Sequence, residues 1–125
     1  MHVLVAIDEL DPTAQQHLEA GRQLAQAFGS GLLAFHTCAA RDQAAATRDL
    51  TALAGGVEVE VAPYGEGGRA AAIVEAAERH RCDLVVMGTQ GLDPIVSRFL
   101  DSPAHKVLEA GRSPVLIVHA ARGLR

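Results

Sequence analysis

The sequence predicts an α/β fold built on a doubly wound, five-stranded parallel sheet. Three observations lead to it. Short apolar runs alternate along the 125 residues with longer segments whose apolar positions recur at helical spacing. The run Leu84 to Met87 is continuous rather than alternating, as expected of a strand buried on both faces of a parallel sheet. Stretches of helical pattern between the runs provide for right-handed crossovers between parallel neighbours.

Taken in order, Val3 to Ile7 is the first strand. Asp8, Glu9, Leu10 and Asp11 follow, with Asp11 placed to cap a helix whose first position is Pro12. Ala14, Leu18, Gly21, Ala25 and Phe28 then recur at helical spacing until Gly29 ends the helix. Gly31 to His36 is a second strand, and the alanine-rich segment Gln43 to Leu53 a short helix. Val57, Val59 and Val61 alternate with Glu58 and Glu60, the pattern of a strand exposed on one face or lying at a sheet edge, closed by Pro63. Gly65, Gly67 and Gly68 lead into a helix with Ile73, Ala76, Ala77 and His80 on one side. Asp83 opens the fourth strand, and Val115 to Val118 is the fifth. No repeat, linker or low-complexity tract interrupts the pattern, so residues 1–125 read as one domain.

Composition narrows the function. Eleven Lys and Arg against fifteen Asp and Glu give a net charge of −4, and no basic run or aromatic-rich strand suggests a nucleic acid partner. No apolar segment approaches the roughly 20 residues needed to cross a bilayer, and the chain starts on a strand, so a cytoplasmic protein with no membrane partner is expected. Cys38 and Cys82 lack CxxC spacing and read as reduced, partly buried thiols; no metal site is expected.

The densest functional pattern runs from Asp83 to Val118. The apolar strand stops at Gly88. Gly88 and Gly91 allow a sharp turn and close approach of backbone amides to a ligand. Ser102 is placed as a helix N-cap with Pro103 in the first turn, so free amides and the positive end of the helix dipole would face the glycine loop. At these residues the chain resembles the universal stress protein family, whose nucleotide-binding members carry Gly, two residues, Gly, nine residues, then Gly followed by Ser or Thr. Gly88, Gly91 and Ser102 match, as do MHVLVAID at the start and SPVLIV near the end. Asp101 stands where the third glycine would be.

The resemblance implies a Rossmann-like sheet of strand order 3-2-1-4-5. Strand order reverses between strands one and four, and ligands in such sheets bind at that switch point, beyond the carboxyl ends of the strands. It also implies an adenine nucleotide, ATP with Mg or AMP, with Asp8 at the adenosine end, Met87 and Gly88 where the fourth strand meets the nucleotide, and phosphates against Gly88, Gly91 and Ser102. Each residue has a purely structural alternative. Asp8 can bond nearby amides, Met87 can be core, the two glycines can shape a turn and Ser102 can simply cap.

The departures from the motif point one way. A carboxylate at Asp101 about 4 Å from a phosphate charge would cost about 4 kcal/mol at an effective dielectric near 20, nearly three decades of affinity. Pro103 removes an amide donor, Asp93 adds a carboxylate to the glycine loop, and Glu9 and Leu10 replace the small residues common in the family. The sequence therefore predicts a non-enzymatic stress-response module with weakened or lost ATP binding, and as the alternative an ATP- or AMP-binding protein with slow hydrolysis. Catalytic residues are not expected: the histidines form no HExxH or Cys–His pattern and no serine sits in a nucleophile elbow. His36, at the end of the second strand, reads as a hydrogen-bonded strand-end histidine. A phosphoacceptor receiver domain would need an aspartate after the third strand and a lysine after the fifth; Ala62, Pro63 and Tyr64 follow the one and HAARGLR the other. The family resemblance further implies a homodimer joined through the last strand, Val115, Leu116, Ile117 and Val118.

Overall fold

The computed structural model describes residues 2–63, 65, 68–88 and 115–118. In chain order these form β1 (His2–Ala6), α1 (Thr13–Phe28), β2 (Gly31–Cys38), a 3₁₀ turn (Ala40–Asp42), α2 (Gln43–Ala54), β3 (Glu58–Pro63), α3 (Gly68–Arg79), β4 (Leu84–Gly88) and β5 (Val115–Val118). The strands lie in the order β3-β2-β1-β4-β5, and every neighbouring pair is parallel. The expected fold and strand order are those observed.

Alternation of side chains along the strands splits the core into two layers. Val3, Val5, Ile7, Ala34, Val61 and Val86 face one side, against Ala14, Leu18 and Ala25 of α1 and Ala46 and Leu50 of α2. Leu4, Ala6, Leu33, Phe35, Val85 and Met87 face the other, against Ile73, Ala76 and Ala77 of α3. β1 and β4 are continuously apolar because both of their faces are covered, and β3 alternates because it lies at the sheet's margin.

Local boundaries follow from capping chemistry. Asp11 Oδ1 accepts the Thr13 backbone N–H at 2.9 Å and the Thr13 hydroxyl at 2.5 Å. It thus satisfies a free amide of the first turn, although Pro12 occupies the position just before the helix and α1 starts one residue later than expected. Gly29 ends α1 with φ 63°, the left-handed conformation that glycine adopts without steric cost. Gly21 lets α1 press on β1, since a Cβ there would overlap the Val5 side chain.

Three sequence expectations are corrected. Phe28 does not join the apolar stripe: it is the last residue of α1, 54% exposed, and Gly29 turns the chain away directly after it. β2 runs two residues past His36 because β3 continues alongside it, Thr37 pairing with Ala62 and Cys38 with Pro63. His80 lies one residue beyond α3, where its Nε2 meets Glu60 Oε1 of β3 at 2.5 Å.

Candidate functional site

The sheet's strand order reverses between β1 and β4, so the carboxyl ends of these two strands form the switch point. Ala6 pairs in register with Phe35 of β2 and Met87 of β4, and all three face the α3 layer. Extending the β1–β2 offset by two residues brings Asp8 opposite Thr37, again on the α3 side by alternation. In a parallel α/β unit the crossover helix runs back against the strands, so the start of α3 lies over this same edge.

Asp8 sits there in a contact the sequence did not foretell. Its Oδ1 accepts from Nη1 of Arg69, in the first turn of α3, forming an ion pair. Both side chains are about three-quarters buried, with exposures of 24% for Asp8 and 31% for Arg69, and burial lowers the affinity of the Arg69 guanidinium for its proton. Asp8 therefore engages a cation carried by α3. Arg69 precedes Ile73 by four residues, which places it one turn nearer the cleft on the helix face that packs against the sheet. That spacing, with the glycines just before it, was the available signal. It required knowing that the start of α3 overhangs β1.

Thr37 supplies a second polar group to this edge. It is 3% exposed, and its Oγ1 is buried with no hydrogen-bond partner. Buried hydroxyls are normally bonded, and the extended register puts this one on the same face of the sheet as Asp8. On the opposite face, His36 Nδ1 lies 2.9 Å from the Ile7 carbonyl oxygen, so that nitrogen carries the proton and donates. His36 is hydrogen-bonded, as expected from sequence, but lies inside β2, two residues before the strand's end.

The remaining predicted positions divide. Met87 is 5% exposed and part of the α3-side core. Gly88 closes β4 in register with Val118 of β5. Glu9 is exposed, and Leu10 is half-buried against the α1-side core. Gly91, Asp93, Asp101, Ser102 and Pro103 lie outside the described residues. The carboxyl end of β1 thus carries a carboxylate paired with a guanidinium, with a buried hydroxyl on the same face of the sheet by register. Among the described residues, no group of three or more His, Cys, Asp or Glu could hold a metal ion. Nor is any helix among them long and apolar enough to cross a membrane.

Comparisons with known proteins agree with this architecture. A model of the universal stress protein family matches residues 39–119. The universal stress protein in the QAH/OAS sulfhydrylase 3′ region of Thermus aquaticus is 44% identical over 63 residues, which is 50% of this chain and 46% of that protein, so the match spans about half the length of this curated relative. Among solved structures, a universal stress protein in complex with cAMP is 26% identical with a TM-score of 0.69, covering 97% of this chain and 98% of that one. The universal stress protein from Archaeoglobus fulgidus in complex with dAMP gives a TM-score of 0.70 at 21% identity, covering 94% and 96% of the two chains. UspA from Lactobacillus plantarum gives 0.70 at 18% identity, covering 94% and 97%. The latter two likenesses speak to the fold alone.

Proposed function

The chain belongs to the universal stress protein family, and from that premise we propose that it is a non-enzymatic regulatory module of the stress response with weakened or lost ATP binding. The observation that carries this reading is the Asp8–Arg69 ion pair. The carboxylate that the family resemblance puts at the adenosine end is already satisfied by a side chain of the protein. The sequence adds Asp101, Asp93 and Pro103 at the phosphate end, each unfavourable to a polyphosphate. Mg-ATP bound in this cleft would set its base end by Asp8 and Met87 and its phosphates by Gly88, Gly91 and Ser102. The Asp8 carboxylate and Thr37 hydroxyl are chemically fitted to such a base end once Arg69 gives way.

The second reading is an ATP- or AMP-binding stress protein, with slow hydrolysis at most. It is favoured by the in-register meeting of Ala6 and Met87 at the switch point and by solved relatives in complex with cAMP and dAMP. Calorimetric titration with Mg-ATP and with AMP separates the two. Weak or absent binding by the wild type, with Asp101→Gly gaining up to about three decades for ATP, supports the first. Tight ATP binding by the wild type establishes the second. The same family premise supports a cytoplasmic homodimer joined along β5, the margin of the sheet opposite β3.

A further inference from the structure

The contact between Arg69 and Asp8 joins Nη1 to Oδ1 across the mouth of the switch point. A guanidinium only donates and a carboxylate only accepts, so Arg69 presents to Asp8 the same chemistry as the amino or hydroxyl donor of a nucleoside. Thr37, on the same face of the sheet by extension of the register, has a buried Oγ1 with no protein hydrogen-bond partner. Of the two polar groups on this face, Asp8 is supplied with a donor from within the protein and Thr37 is not.

We infer that Arg69 is an internal competitor for the nucleoside end of the cleft: it occupies the Asp8 carboxylate in the free protein, and a nucleoside binds by exchanging its own donor for the guanidinium. This rests on the nucleotide-cleft reading above and adds to it a residue that sets affinity and selectivity at the base end. Displacement is feasible because both partners retain some exposure, so the released guanidinium can turn to solvent on its flexible stem without stranding a buried charge. Ligands that bring a hydrogen-bond donor to Asp8 can complete the exchange. Those that bring only acceptors cannot.

Adenosine is the probe of choice, because it has no phosphate and is indifferent to Asp101, Asp93 and Pro103. Arg69→Met keeps an apolar stem and removes the donors; it should bind adenosine more tightly than the wild type by up to about fivefold, the range expected for relieving a part-exposed ion pair. In an Asp8→Asn background the same change should bring no gain, since the carboxylate being freed is gone. Equal or weaker binding by Arg69→Met, or a gain that persists with Asn at position 8, overturns the inference, as does failure of both proteins to bind adenosine at millimolar concentration. The wild type offers a test that needs no variant. Adenosine is uncharged, so screening of the pair by added salt should raise its affinity slightly, and a fall with salt counts against exchange. A positive adenosine result with no response of ATP to Asp101→Gly would uphold Arg69 and sink the phosphate-end account; the converse would do the reverse.

Discussion

Gly21 of α1 lies against Val5 of β1 so closely that a Cβ at position 21 would overlap the valine side chain. Val5 is fully buried and belongs to the α1-side core, so it has little room to yield. Gly21→Ala gains about 1 kcal/mol of helix propensity but incurs an overpacking cost of about 1–3 kcal/mol. A net loss of about 1 kcal/mol is expected, seen as a lower urea midpoint with an unchanged m-value. A more stable variant would show that α1 can lift from the sheet without cost.

Glu60 of β3 joins the end of α3 to the sheet through Arg79 Nη1 at 2.8 Å and His80 Nε2 at 2.5 Å. Burial alone would raise the Glu60 pKa, but the hydrogen bonds and charges of His80 and Arg79 together bring it below the usual carboxylate value of 4.5. A group whose folded pKa is depressed contributes stability above its unfolded pKa and loses it as pH falls through the folded value. Glu60→Gln should therefore lower the melting temperature at pH 7, and its gap to the wild type should close as pH falls below about 4.5. A gap that is constant with pH would mean that charge at this position adds nothing.

Both thiols should be inert in the native protein. Cys38 is 9% exposed and Cys82 6%, and burial raises the pKa of each, that of Cys82 to about 11 with help from Asp83 and Glu58. The thiolate is the reacting species, so native protein at pH 8 should react with an aromatic disulfide reagent at least about tenfold more slowly than unfolded protein. A fast native phase would require an opening motion that exposes one of them.

Dimerisation along β5 is tested by sedimentation. The wild type should run at twice the chain mass of 13.1 kDa, and Ile117→Pro should give a folded monomer, because proline removes a backbone donor from a strand in which Ile117 pairs with Met87. A monomeric wild type would leave β5 an unpaired margin.

The fold was legible because its main signals are local. Continuous apolar runs, helical periodicity, and Asp11 and Gly29 as start and stop signals each act within a few residues. Errors arose where tertiary context decides. β2 extends past His36 because β3 continues beside it, and Phe28 is exposed because the chain turns away at Gly29. For the candidate site, sequence singled out Asp8 as an expectation but not what it meets, since Arg69 is 61 positions away and ion pairs between elements leave no periodic trace. The unsatisfied Thr37 hydroxyl was invisible for the same reason: burial of a threonine depends on what packs over it.

The two margins of the sheet are not equivalent. β3 carries carboxylates at alternate positions; Glu60 is held by Arg79 and His80, but Glu58 is exposed, so a second copy approaching that margin strand to strand would meet an uncompensated charge. Growth of the sheet from molecule to molecule is thereby disfavoured on one side, which tilts any self-association toward closed pairs instead of open-ended fibres.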